Sequence, residues 1–350
     1  YEMLEGQVAI LASGYLSPAA SLEVLDALKA SALYRPDQYS YILYPDRDLP
    51  VFLEKNNIPE DALDRSELLK KLVKKGNRQI VIWDVNGKYH FIGSFRHAGL
   101  LEEALQALPD AYSGLLKKEK ASILDLYEDV FDHQSFTGRS GTFYGFEGLG
   151  SIYWHMVSKL LLAVNETYFR AYEDKEDKEI LGRLAAHYFE IRAGIGLNKN
   201  PKLYGAFPTD PYSHTPRGRG AQQPGMTGQV KEDIISRMGE LGVRIRQGQM
   251  VFKPVLLRKD EFLAEARDFL YYDLMGQKKS ISLKPGMLAF TYCQVPVIYQ
   301  LSPERKIRLQ YRDGKEVLIQ GDSLDKDHSS TIFKREGRIS LVEVWLNPAL

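Results

Sequence analysis

The sequence predicts a multidomain α and β protein, with a helical region over residues 1–241 and then an all-β domain over 242–350 patterned like a β-sandwich. Three observations carry this. Before residue 242, apolar residues recur at three- and four-residue spacing, the period of a helix with one buried face. After it, short Val-, Ile- and Tyr-rich runs are split by Gly and Pro turns. Two long Gly-rich stretches, 137–151 and 203–228, interrupt the helical part, and long stretches without regular structure inside a domain tend to be functional.

In chain order, residues 18–33 are expected to be helical, with Ser17 as N-cap, Pro18 in the first turn and Leu22, Leu25 and Leu28 as the apolar stripe. Residues 34–50 are dense in Pro, Tyr and charge, the composition of an ordered loop. A short helix with a basic exposed face follows at 66–75. A strand at 79–83 and a second at 89–92 are joined through Asn86-Gly87. Helices are predicted at 100–108, 117–131 and 152–164, the last burying Ile152, Met156, Leu160 and Leu161 on one face. The charged stretch 173–179 separates it from helices at 180–191 and 231–241. Strands are predicted at 243–245, 250–252, 281–283, 288–297, 307–311, 317–319 and 339–345, with 312–314 and 336–337 as hairpin signals.

Composition narrows the function classes. Lys+Arg and Asp+Glu both number 46, so neither a polybasic nucleic-acid binder nor an acidic tail is indicated. No apolar run reaches the length of a membrane span. The single cysteine, Cys293, excludes an intrachain disulfide and a multi-cysteine metal site, and its apolar surroundings predict a buried structural thiol. No signal peptide is visible, which with the one cysteine favours a cytoplasmic location. The start at Tyr1 rather than Met is the pattern of a trimmed longer protein, with further N-terminal domains or a targeting segment upstream. The 21 tyrosines suit sugars, which need a flat apolar face and hydroxyl partners together, and are equally ordinary core residues.

Three constellations could carry chemistry. Asp84, Tyr89, His90, Arg96 and His97 cluster around the predicted hairpin. Asp84 there is either an acid aimed into a cleft or the cap of its own Asn-Gly turn. The stretch 137–151 has glycines at 138, 141, 145, 148 and 150, and leads into a helix, an arrangement that offers free backbone N–H groups to anions and hydroxyls. It lacks the Gly-Lys-Ser/Thr of a phosphate loop and the preceding strand of a dinucleotide fingerprint. In and before it, His133, Gln134, Thr137, Arg139, Ser140 and Glu147 can bond an oxyanion or hydroxyls, with Arg139 as a fork for phosphate. Glu147, among aromatics, suits a general acid or base. The alternative is a structural loop that satisfies its own backbone. In the third, Asp210, His214, Arg217, Gln222 and Gln223 offer a carboxylate, two polar clamps and two hydroxyl readers, or else belong to a proline-stiffened surface loop. His133, His155 and His214 lack helical zinc-site spacing, and no Gly-x-Ser-x-Gly elbow is present, so no metal site and no serine hydrolase is expected.

Residues 141–157, Gly-Thr-Phe-Tyr-Gly-Phe-Glu-Gly-Leu-Gly-Ser-Ile-Tyr-Trp-His-Met-Val, resemble the Gly- and Tyr-rich approach to a late helix in cellobiose phosphorylase-like proteins of the six-hairpin glycosidase group. Residues 239–244 followed by 250–257 resemble the step from that group's (α/α)6 toroid into a small C-terminal β-sandwich. Residues 34–45 resemble stretches of its large relatives. The resemblance implies that 1–241 is part of a toroid-like helical domain of catalytic type and that 242–350 is the sandwich. A whole toroid needs more helices than precede residue 242, so the chain resembles the C-terminal portion of a longer enzyme.

The expected activity is that of an inverting glycoside phosphorylase or hydrolase on β-linked gluco-oligosaccharides, with an oligo- or polysaccharide as partner. One carboxylic acid protonates the leaving oxygen while phosphate or water attacks the opposite face. By the resemblance, Asp84 is the nearest match to the family's acid. Glu147 would activate water in a hydrolase. In a phosphorylase, His133, Thr137, Arg139 and Ser140 would hold inorganic phosphate, a co-substrate, with no other cofactor. Arg35, Asp37, Gln38, Tyr39, His90, Arg96, Tyr144, Tyr153, Asp210, His214, Arg217, Gln222 and Gln223 are the expected sugar contacts. The rival is a non-catalytic carbohydrate-binding or structural fragment that uses Tyr39, Tyr144 and Tyr153. A remoter third is a metal-dependent lyase built on His133 and His214.

Overall fold

The computed structural model describes residues 2–45, 50–132, 152, 154–195 and 227–348, with 227–230 described by backbone alone. The chain divides into two compact units. One comprises Tyr1–Gln7, Asp26–Val157 and Lys199–Met226, and the other Val8–Leu25, Ser158–Asn198 and Thr227–Leu350.

Helices α1 (Leu4–Ala12) and α2 (Pro18–Ala30) lead the chain. Ser17 Oγ accepts the Ala20 N–H at 3.2 Å, which is the expected cap, and Leu22, Leu25 and Leu28 are buried. In the first unit, β1 (Tyr34–Arg35) pairs antiparallel with β2 (Ser40–Tyr41), which gives the loop predicted at 34–50 a hairpin. Then come α3 (Phe52–Lys55), α4 (Glu60–Arg65), α5 (Glu67–Lys74), the hairpin β3 (Val81–Trp83) and β4 (Tyr89–Phe91), α6 (Ala98–Gln106) and α7 (Ser113–Phe131). One hydrophobic core serves the stretch from Ile58 to Phe131. Leu68, Leu69 and Leu72 enter it from α5, Val81 and Phe91 from the hairpin, Leu101 and Leu105 from α6, and Ile123, Tyr127 and Phe131 from α7. The ring of Tyr127 lies 5.1 Å from Phe91 and 4.7 Å from Phe131. Glu119 of α7 docks α5: its Oε2 accepts the Ser66 hydroxyl at 2.6 Å and the Leu68 N–H at 3.0 Å, so a negative charge sits at the α5 N-terminus.

The second unit contains α8 (Trp154–Glu173) from Ser158 onward, α9 (Lys178–Gly194) and α10 (Thr227–Glu240). Gly239 lets α10 lie against α8, since a Cβ there would fall 2.3 Å from Asn165 Oδ1. The strands follow. β5 (Val243–Arg246) pairs with β6 (Gln249–Phe252), and β7 (Arg267–Tyr272) with β8 (Lys278–Leu283). β9 (Met287–Tyr292), β10 (Val295–Leu301), β11 (Lys306–Tyr311), β12 (Glu316–Gln320) and β13 (Ile339–Leu346) form a five-stranded sheet in the order β12-β11-β13-β10-β9, with α11 (Lys326–Phe333) between β12 and β13. β13 runs parallel to β10 and antiparallel to β11. By the two-residue period, Val297 and Tyr299, Ile307 and Leu309, and Val342 and Val344 share one face, where Met250, Phe252, Leu324 and Ile332 complete the core.

Several expectations change. Residues 288–297 form two strands, because Cys293 and Gln294 both take left-handed φ (48° and 62°) and close a two-residue turn without glycine. Cys293 is therefore half-buried in a turn rather than inside a strand, and burial pushes its thiol pKa up. Ile152 lies outside α8 and bridges to Ile42. Residues 336–337 turn between α11 and β13 rather than between two strands, while 312–314 do close the β11–β12 hairpin. Helices α9 and α10 share a compact unit with the strands.

The junction explains why. Glu240 is fully buried at the end of α10. Its carboxylate accepts the Tyr188 hydroxyl at 2.8 Å and faces Arg192 Nε at 3.2 Å and the Arg237 guanidinium, while Arg237 also bonds Glu261 at 2.6 Å. The next carbonyl, of Leu241, accepts the hydroxyl of fully buried Tyr299 on β10 at 2.7 Å. Gly242 then takes φ +76° so close to 253–254 that a Cβ would stand 2.2 Å from backbone atoms of Lys253 and Pro254. Gly242→Ala combines left-handed strain with a backbone clash, and equilibrium urea unfolding should show a loss of about 3 kcal/mol or more.

Burial, with neighbouring Glu261 second, pushes the Glu240 carboxyl up from 4.5 to about 7 against the pull of Arg237 and Arg192. An acid whose folded pKa is raised binds more protons folded than unfolded between those values, so its contribution to stability is lost as pH rises from about 4.5 to 7. Glu240→Gln should flatten that part of the stability–pH curve, measured by thermal melts across the window.

Candidate functional site

The candidate residues that the structure describes lie on two hairpins and the segment after the second. At the first hairpin, the Arg35 guanidinium makes a bidentate pair with Asp37, Nε to Oδ1 and Nη2 to Oδ2, both at 2.7 Å. The Gln38 and Tyr39 N–H groups donate to the Arg35 and Pro36 carbonyls. Tyr39 takes φ 51° at the tip, and its ring is half exposed. Arg35, Asp37, Gln38 and Tyr39 thus share one turn, as the sequence grouped them.

The second hairpin is pinned by a residue that the sequence did not single out. Asn56, buried after α3, donates its Nδ2 to the Phe91 carbonyl at 2.8 Å and accepts the Phe91 N–H on Oδ1 at 3.0 Å. An amide side chain thereby stands in for a third strand beside β4, extended by the Ile58–Tyr89 bridge. The Asn56 carbonyl receives His90 Nδ1 at 2.5 Å. A carbonyl only accepts, so Nδ1 carries the proton and Nε2 faces Asp84 Oδ2 at 3.6 Å. The Asn-Asn pair directly after a four-residue helix was the signal available, because Asn favours local backbone bonding at such ends.

Asp84 and His90 are therefore brought together, but the carboxylate belongs to its turn. Oδ1 accepts the Asn86 and Lys88 N–H groups at 2.8 and 2.9 Å. The Lys88 N–H is the chief cause that holds the carboxyl below its ordinary value, against some burial, with Asn86 and His90 adding to it. A carboxyl tuned downward is ionised at neutral pH, the wrong state for donating a proton to a leaving oxygen. Arg96 is exposed and His97 sits at the α6 N-cap without a side-chain cap bond. His133, Thr137, Arg139, Ser140, Tyr144, Glu147, Tyr153, Asp210, His214, Arg217, Gln222 and Gln223 lie outside the described residues.

The module from α3 to α7 has its own core and a pinned hairpin. Residues 49–134 match the family described as GH149 phosphorylase insertion domain 2, and the match spans the same stretch as the Ile58–Phe131 core. It points to a glycoside phosphorylase-related protein, without singling out the cellobiose phosphorylase-like group that the sequence resembles. No curated protein matches the chain. Because Asn56 supplies both bonds to Phe91, Asn56→Ala should cost about 3 kcal/mol in urea unfolding, leaving a buried donor and acceptor without partners.

Proposed function

We propose that the chain is part of an inverting glycoside phosphorylase acting on β-linked gluco-oligosaccharides. The observation that carries this reading is the phosphorylase-family domain at 49–134, which coincides with a separately cored module of the fold. Between the two activities that the sequence left open, the match favours phosphorolysis over hydrolysis. In this reading α8, α9 and α10 belong to the toroid-like helical domain, and the strands after 242 to a β-sandwich domain.

The chemistry asks little of the protein beyond charge and position. A protonated carboxylic acid gives its proton to the glycosidic oxygen, and phosphate attacks the anomeric carbon from the other face, so a β-linkage yields an α-sugar 1-phosphate. Phosphate is itself the nucleophile, so no second carboxylate has to activate water. Arg139 would grip phosphate as a fork, with Thr137, Ser140 and His133 as hydroxyl and imidazole partners. Asp84 is not carried into this reading as the acid, because its carboxylate caps the β3–β4 turn.

Incubation with gluco-oligosaccharides should release sugar 1-phosphate only when phosphate is present, and turnover without phosphate would sink the proposal. Arg139→Ala should raise KM for phosphate at least about tenfold while changing KM for the oligosaccharide little, since a charge-assisted pair is lost only on the phosphate side. Asp84→Asn should keep kcat.

A further inference from the structure

We infer that the strand region of the second unit carries a sugar-binding cleft of its own, between the β7–β8 hairpin and the five-stranded sheet. The inference rests on the glycoside reading above only for the choice of sugar. The cleft has a volume of about 370 Å³, within the roughly 300–1,000 Å³ of small-molecule sites. Tyr271 on β7 lines it, together with Asp273 in the β7–β8 turn, Gln294 from the β9–β10 turn, Pro296 on β10 and Arg312 after β11. Three separate stretches of chain, 271–273, 294–296 and Arg312, thus converge on one space, each placed by a strand end or a tight turn.

The groups present suit a neutral polyhydroxylated ring. The Asp273 carboxylate spends Oδ1 on the Met275 and Gln277 N–H groups, both at 2.9 Å. Oδ2 stands 4.0 Å from Arg312 Nη2, beyond hydrogen-bond range, so an acceptor and a donor lie side by side where one hydroxyl can bond both from the cleft. The carboxyl is held below its ordinary value, chiefly by the Gln277 N–H and against some burial, so it is ionised at neutral pH. Lys279 also lines the cleft, and the Asp273 carboxylate lies between its charge and that of Arg312, where it offsets their pull on an anion and accepts well from sugar hydroxyls. Tyr271 adds the flat apolar face, and Phe269 stacks beside it at 5.8 Å with the two ring planes 13° apart. Gln294 is anchored by Nε2 to the Asp273 carbonyl at 3.3 Å, and the left-handed φ it shares with Cys293 places it there. The turn that sequence patterning merged into one strand is therefore what brings an amide to the cleft.

Met275 lines the same cleft and is largely exposed, so its methyl group is a local probe. In protein labelled with ¹³C-methyl methionine, and in the absence of phosphate, titration with cellohexaose should shift the Met275 signal, assigned through Met275→Leu. Arg312→Gln, which removes the charged donor, and Tyr271→Leu, which removes the flat face, should each weaken that titration about tenfold. A Met275 signal that stays fixed throughout the titration overturns the inference, as does an unchanged affinity in both variants or a response to inorganic phosphate alone. Phosphorolysis is read separately. A fixed Met275 signal with phosphate-dependent turnover removes only the cleft, and a cleft-dependent shift without turnover removes only the phosphorylase reading.

Discussion

The second unit depends on one buried carboxylate. Glu240 ends α10 with no access to solvent, and it is tolerable there only because Tyr188 and two arginines supply donors. Removing one member of such a cluster leaves a charge buried without its counterpart, which is among the most costly changes a fold can suffer. The cluster also fixes geometry. It ties α9 to α10 at the residue where the chain turns into β5, and through Arg237 it reaches Glu261 beyond the first strand hairpin. The Leu241 carbonyl and the Gly242 backbone then set the direction in which the strands begin.

The first unit solves a similar problem with one amide and one carboxylate. Its module is small and its β3–β4 hairpin has three-residue strands, too short to stand alone in water. Asn56 gives the hairpin a third partner, and Glu119 gives α5 a charged cap from another helix. Both are long-range contacts made by side chains, and together with the aromatic packing of Phe91, Tyr127 and Phe131 they hold the stretch around one core.

Much of the architecture was legible in the sequence. The leucines of α2, the Ser17 cap, the short helix at 66–75, the Asn86-Gly87 turn and most strands after 242 follow from local pattern, and they form close to where pattern places them. What was not legible has physical reasons. The turn at Cys293–Gln294 carries no glycine, so nothing in the local chemistry announces it. Strand β7 and helix α11 have mixed polar and apolar residues because each is only partly covered. Of the candidate site, the grouping of Arg35 to Tyr39 and the proximity of Asp84 to His90 could be read from spacing. Whether Asp84 served a turn or a substrate could not, because a turn cap and a cleft acid share the same sequence signature and differ only in where the N–H groups point.

The order of strands in the five-stranded sheet has a kinetic consequence. The β9–β10 and β11–β12 hairpins are local and can form early, but β13 sits between them as the strand that joins β10 to β11. Its parallel pairing with β10 closes a long loop, a slow and entropically costly step. Until β13 inserts, two hairpins present inner edges rich in Val, Ile and Leu and open to pairing with another chain. The last strand to dock is therefore the guard against aggregation. Lesions that weaken β13 should show as loss of soluble yield before they show as loss of stability.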